Sequence, residues 1–170
     1  MFEELAVPLF DQLYNFARWL TQDTAEAEDL VQETYAKALR GFSTFQAGTN
    51  FRAWMYRILR NSFLSSRTGL KVSVPLDEEI AESAAVADHA TPEAAMLDQA
   101  SRDTVQQAME ELPVHFREIL LLCEVEEMSY QEIAETLSIA PGTVMSRLFR
   151  ARKALRALLE QKAKGASHGV

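Results

Sequence analysis

Apolar residues recur at three- and four-residue spacing along most of the chain, a period that predicts helices rather than strands. Leu5, Leu9, Leu13, Phe16 and Leu20 share one side of a helix over 5–20. Asp23, with Glu26 three residues later, marks the start of a second helix, AEAEDLVQETYAKALRGF, whose apolar face is Ala27, Val31, Tyr35, Ala38 and Phe42. Gly41 and STFQAGTN interrupt the pattern with a loop. A third helix, FRAWMYRILRNSFL, is predicted to bury Phe51, Trp54, Met55, Ile58 and Leu59, and these three helices suffice for one core.

The periodicity then stops. Residues 66–95 are acidic and rich in Ala and Ser, which predicts a flexible linker. Helical pattern returns near Met96. Val105, Ala108, Met109 and Leu112 form one face, Pro113 ends that helix, and FREILLLCEVEE makes the next. Ser129 and Glu132 have capping-box spacing ahead of a short helix with Ile133, Ala134 and Leu137 inward. Ser138-Ile139-Ala140 is a tight connection, Pro141 suits a first helical turn, and Val144 and Leu148 face inward on the helix that follows. A short helix, a three-residue turn and a longer basic helix make a helix-turn-helix, whose second helix enters the DNA major groove. The expected fold is all-α: two small helical modules, 1–67 and 100–162, joined by a flexible acidic linker over 68–99.

Charge sharpens this picture. The net charge of −8 is unevenly spread. Residues 1–70 carry eight acids and seven bases, residues 71–140 sixteen acids and three bases, and residues 141–170 one acid and seven bases. An acidic chain with a basic carboxyl-terminal helix fits a nucleic-acid partner. Positive charge at a helix carboxyl end also complements the helix dipole, but that accounts for one or two residues and not for a stripe that starts in the helix's first half.

Other chemistry finds little support in the sequence. His89, His115 and His168 show no metal-ligand spacing, and Cys123, the only cysteine, sits in ILLLC as a small core residue. There is no nucleophile–base arrangement, no phosphate-cradling Gly loop and no paired-carboxylate signature. The expectations are therefore no catalytic residues, no metal, no cofactor, no small-molecule substrate and no enzyme. No apolar run has bilayer-spanning length, and the opening MFEELAVPLF carries acids where a signal peptide carries positive charge, so the chain is expected to be cytoplasmic without membrane insertion.

Five stretches in order, AEAEDLVQETYAKAL, FRAWMYRILRN, LPVHFREILLL, SYQEIAETL and PGTVMSRLFRARKAL, give the chain its likeness to a known family. From about Leu5 to Leu159 it resembles the extracytoplasmic-function (ECF) group of bacterial sigma-70 factors. The resemblance implies a protein that binds core RNA polymerase, directs it to promoters and helps open the DNA. Region 2, here about 5–67, would grip the polymerase clamp and read the −10 element. Region 4, about 100–160, would read the −35 element and touch the polymerase flap. An anti-sigma factor is a further expected partner.

The implied sites follow residue by residue. Asp29, Gln32 and Glu33 lie on one face of the second helix, opposite its core, and match the family's clamp-binding segment; otherwise they are a solvated acidic face. On the third helix Arg52, Tyr56 and Arg60 form a stripe, with Arg57 and Asn61 alongside. Bases interleaved with an aromatic suit a strand of unstacked nucleotides. Family position adds Phe45 and Asn61 as a pocket for a flipped −10 base, whereas Phe45 could instead anchor its loop and Arg57 could pair with an acid of its own module. Trp54 has core spacing. On the last helix Thr143, Ser146, Arg147 and Arg150 point toward DNA when Val144 and Leu148 face inward. Met145 stands where several relatives carry a basic residue, and it offers only apolar contact, for example to a thymine methyl. Base reading then leans on Arg147, Phe149, Arg150 and DNA shape, and Lys153, with Arg152 and Arg156, is either a phosphate contact or a solvated charge. Two competing functions are a sigma-like decoy that binds an anti-sigma factor without DNA, and an ordinary helix-turn-helix repressor, which leaves the first module unexplained.

Overall fold

The computed structural model describes residues 1–68 and 102–168, and every regular element among them is helical. In the first module α1 is Phe2–Ala6, α2 Phe10–Thr21, α3 Thr24–Gly41 and α4 Phe51–Thr68. The first expected helix is in fact two, because Pro8 lacks an amide hydrogen and Val7–Leu9 tightens into a 3-10 turn. The break rotates the register. Leu5, expected inward, is 38% exposed, and Ala6 is buried in its place. Asp23 caps α3 by accepting from the Glu26 amide at 3.0 Å. Ala27, Val31 and Ala38 are buried as the periodicity predicts, Tyr35 and Phe42 only half so, and the buried face also takes in Leu30 and Thr34. The Thr34 hydroxyl is satisfied by donating to the Leu30 carbonyl at 2.7 Å, which makes a polar residue tolerable there.

The second module holds α5 Arg102–Glu111, α6 Val114–Leu120, α7 Tyr130–Leu137 and α8 Pro141–His168. Nearly all of the linker expected over 68–99, and the first residues of the helical pattern expected from Met96, up to 101, lie outside the described residues. FREILLLCEVEE is not one α-helix. After Leu120 the backbone widens into a π-turn over Leu121–Val125, in which the Glu126 amide donates to the Leu121 carbonyl at 3.0 Å. Glu127 then takes a left-handed φ of 56°. This turn redirects Glu124 and Glu126 away from the direction a continued α-helix would give them. Cys123 within it is half-buried rather than core, 3.5 Å from an Arg152 Nη2.

The two modules pack on each other. α4 lies against α7, and α2 touches α6. The boundary is fastened by a buried residue that sequence reasoning passed over. Arg117 donates from Nη1 to the carbonyls of Leu112 at 2.9 Å and Glu110 at 3.2 Å, at the end of α5. Its Nη2 reaches the Leu20 carbonyl in the last turn of α2 at 3.4 Å. One guanidinium thus serves carbonyls at two helix ends that have no intrahelical partner.

Candidate nucleic-acid interface

The helix-turn-helix is built as its sequence specifies. Ser129 Oγ accepts from the Glu132 amide at 3.0 Å and Glu132 Oε1 accepts from the Ser129 amide at 3.1 Å, so both halves of the capping box are present. Ser138 ends α7 in the left-handed conformation, φ 60°, turning the chain into α8 at Pro141. Val144 and Leu148 are buried, which fixes the rotation of α8. Met145 (57%) and Phe149 (39%) are therefore on the outside, Lys153 is exposed, and Thr143, Ser146, Arg147 and Arg150 are half-buried at the flanks. Ser146 Oγ donates back to the Gly142 carbonyl at 3.2 Å. Phe149 joins Phe116, Ala154 and Ala157 along a shallow apolar groove rimmed by Arg150 and Lys153. Arg152 is turned away from the outer face to pair with Glu124 at 2.9 Å. His115 is held below its ordinary value by partial burial and by the charges of Arg147 and Arg60.

On α4 the stripe Arg52, Tyr56, Arg60 is real, but it faces the second module. Tyr56 is fully buried and packs at 5.2 Å between ring centroids against Phe16, a correction to its expected exposure. Its hydroxyl donates to Glu126 Oε1 at 2.7 Å. Arg52 donates to the Glu126 carbonyl at 3.1 Å and to both Glu132 oxygens at 3.2 and 3.3 Å, and Asn50 Nδ2 donates to Glu132 Oε2 at 2.9 Å. Arg60 Nε donates to Glu118 Oε1 at 2.9 Å, with the two side chains 13% and 2% exposed. Burial raises the Glu126 carboxyl above its ordinary value, against the lowering pull of the Tyr56 hydroxyl and Arg52. At Glu132 burial also pushes upward, yet hydrogen bonds from Asn50, the Ser129 amide and Arg52 outweigh it and the net shift is downward.

The other expected residues are more accessible. Arg57 is half-buried and Asn61 is exposed on α4. Phe45 is half-buried in an aromatic cluster, stacked on Phe42 at 5.9 Å and within 5.1 Å of Trp54 and 5.2 Å of Phe51. Trp54 belongs to that cluster, half-buried rather than sealed in the core. Asp29, Gln32 and Glu33 are all exposed on one face of α3, and Glu33 pairs with Lys37 at 2.9 Å. Glu118, Glu126 and Glu132 were missed as partners of the α4 stripe. The only trace of them in the sequence is the acidic excess of the middle third. Among the described residues no group of three or more His, Cys, Asp or Glu side chains is arranged to hold a metal, and no helix is long and apolar enough to cross a membrane.

Two family models match the chain, one described as Sigma-70 region 2 over residues 8–71 and one as Sigma-70, region 4 over residues 102–155. The ECF RNA polymerase sigma factor SigE of Mycolicibacterium smegmatis is 36% identical over 156 residues, covering 91% of this chain and 60% of that protein, so the chain spans less than two thirds of that relative's length. The ECF RNA polymerase sigma factor SigW of Bacillus subtilis is 33% identical over 153 residues, 86% of this chain and 82% of the relative. Among solved structures, the sigma factor RpoE from Bartonella quintana, in complex with the anti-sigma factor NepR, superposes with a TM-score of 0.69 at 31% identity, over 94% of this chain and 96% of that one.

Proposed function

The chain belongs to the extracytoplasmic-function group of the bacterial sigma-70 family, and from that premise we propose that it directs core RNA polymerase to stress-response promoters and helps open the −10 region. The observation that carries the proposal is the complete helix-turn-helix. Capping box, left-handed turn at Ser138 and inward Val144 and Leu148 together fix the rotation of a basic helix, with Met145, Phe149 and Lys153 outside and Thr143, Ser146, Arg147 and Arg150 at its flanks. The chain then acts as a transcription regulator rather than an enzyme, in the cytoplasm.

In this reading residues 100–162 are region 4. Arg147 and Arg150 read base edges, Met145 and Phe149 give apolar contact, and Thr143, Ser146 and Lys153 hold phosphates. Residues 1–67 are region 2. Asp29, Gln32 and Glu33 meet the polymerase clamp, Arg52, Tyr56, Arg57 and Arg60 follow the melted strand, and Asn61 with Phe45 receives a flipped base. Residues 68–99 join the two units. An anti-sigma factor is a natural regulator, as for the RpoE relative solved with NepR. The test is run-off transcription with purified core polymerase on a candidate promoter. Promoter-specific transcript supports the proposal. A chain that binds an anti-sigma factor yet neither binds core polymerase nor supports transcription is a decoy.

A further inference from the structure

Phe45, the ring assigned above to the flipped −10 base, is placed by other rings more than by hydrogen bonds. Among the described residues the hydrogen bonds of 44–49 stay within 41–49: the Phe45 amide donates to the Phe42 carbonyl at 3.0 Å, and the Thr44 and Thr49 hydroxyls donate to the carbonyls of Gly41 and Gln46 at 2.6 and 2.7 Å. Phe45 stacks on Phe42 and meets Phe51 edge-on at 87°. Phe2 of α1 closes this arrangement. Its ring is 5.3 Å from Phe42 and 6.2 Å from Phe51, both edge to face, and it forms no ring pair with Phe45 itself. Such edge contacts are directional and favour one mutual setting of the rings. We propose that Phe2 is a positioning residue for base selection at the −10 element, backing the two rings that set Phe45 and so fixing the surface that receives the flipped base. This rests on the assignment of Phe45 and Asn61 made above.

The short helix α1 can serve as a support because it is itself tied down. Phe2 and Ala6, four residues apart, share its inner face, and Ala6 is buried. The Tyr35 hydroxyl of α3 donates to the Ala6 carbonyl at 2.7 Å. The 3-10 turn at Pro8 lets α1 leave the line of α2, so that Phe2 reaches the end of α3 and the start of α4 at once. Phe45 is half-buried, and such a ring on a loop keeps a single setting only where its neighbours lock it. Base selection depends on that lock, because a site loosened by about 1 Å discriminates poorly.

The experiment uses the full chain assembled with core polymerase. The probe is a single-stranded −10 oligonucleotide from the promoter used for run-off transcription, in four forms that carry A, C, G or T at the base whose removal costs the wild type most. Selectivity is the affinity for the preferred base over the mean of the other three. Phe2→Ala is expected to lower it about fivefold, the order of one aromatic pair, with little change in binding to core polymerase or to −35 duplex. Phe2→Tyr, which keeps the ring, stays near wild type. Phe2→Leu, which keeps apolar bulk without a flat edge, loses part of the selectivity and carries the test if Phe2→Ala does not fold. Val31→Ala is the control for plain destabilisation, at a buried position about 16 Å along α3 from Phe42. Phe2→Ala is repeated in a Phe45→Ala background, where it should add nothing. Selectivity that survives Phe2→Ala and Phe2→Leu but is lost in Phe45→Ala overturns the inference alone. An equal loss in Val31→Ala, or a full further loss in the Phe45→Ala background, overturns it too. Selectivity unchanged in Phe45→Ala itself overturns the −10 pocket and this inference together.

Discussion

Arg117→Met tests how the modules are held, and its cost can be worked from the geometry. Methionine fills much of the same volume without donors, so packing is largely kept. What is lost is the bonding of the Leu112 carbonyl at 2.9 Å and the Leu20 carbonyl at 3.4 Å, both buried; the Met109 carbonyl, 3.5 Å away, keeps the Leu112 amide, and the Glu110 carbonyl, 3.2 Å away, keeps the Gln22 side-chain amide. A buried acceptor left without a partner costs about 1–3 kcal/mol. Against this, the variant no longer desolvates a guanidinium. That penalty is real, because burial pulls the Arg117 pKa down despite the nearby carboxylates of Glu110 and Glu118, and Nε is buried without a hydrogen-bond partner. Two acceptors less this relief give a net loss of about 3 kcal/mol in equilibrium urea unfolding, read from a shift of the midpoint at constant slope. Arg117→Lys should fall between, since one ammonium cannot span the ends of α5 and α2 at once. A loss for Arg117→Met below about 0.5 kcal/mol, the range of an ordinary surface change, would refute the staple and leave Arg117 a tolerated charge.

Arg147→Ala and Arg150→Ala are each expected to weaken −35 duplex binding by about 1–3 kcal/mol and to relax preference at one base pair, measured by competition titration; a uniform loss with a smaller salt slope reassigns them to phosphates. Asp29→Lys should change thermal stability by no more than about 0.5 kcal/mol yet weaken core polymerase binding in a pull-down, and unimpaired binding makes the α3 face solvated surface only. Leu148→Ala, at a position 1% exposed, should cost about 3 kcal/mol and reduce −35 binding through loss of helix orientation, checked by denaturation and titration together. The raised pKa of Glu126 means that its folded environment favours the protonated acid, a contribution present below the unfolded value and lost as pH rises through the folded one. Glu126→Gln should therefore be more stable than wild type at pH 7 and lose that advantage toward pH 4, in thermal melts across pH.

Most of the helical architecture was legible because its signals are local. Capping at Asp23 and Ser129, the stop at Pro113, and the inward Val144 and Leu148 are each decided within one or two turns of chain. The errors fall where a local rule met a longer-range constraint. Pro8 sits between the periodic Leu5 and Leu9, and the register it resets puts Leu5 outside. The π-turn after Leu120 has no simple compositional signature, because LLLCEV is as suitable for an α-helix. The acids it carries find partners that are distant in sequence, Glu124 pairing with Arg152 and Glu126 accepting from Tyr56. Arg117 was invisible for a related reason. An arginine among helix-forming residues reads as a surface charge until two helix ends with orphan carbonyls are placed beside it.

The candidate site shows the same division. Spacing alone put Arg52, Tyr56 and Arg60 on one face of α4, and that much is a property of the helix. Which neighbour the face meets is not. Summed over 71–140, sixteen acids and three bases make a strongly acidic stretch, but the sum ignores direction. Glu118, Glu126 and Glu132 belong to folded helices and turns of the second module and point at arginines and a tyrosine, while Glu124 neutralises Arg152 within its own module. Stripe residues four apart return to nearly the same angle, so three acids can engage all three. Arg57 and Asn61 sit about 100° further around the helix, off the stripe the acids engage. The helix thus carries one set of nucleic-acid candidates engaged by carboxylates and another set beside it, and regional charge could not have separated them, since both sets lie within ten residues of one another.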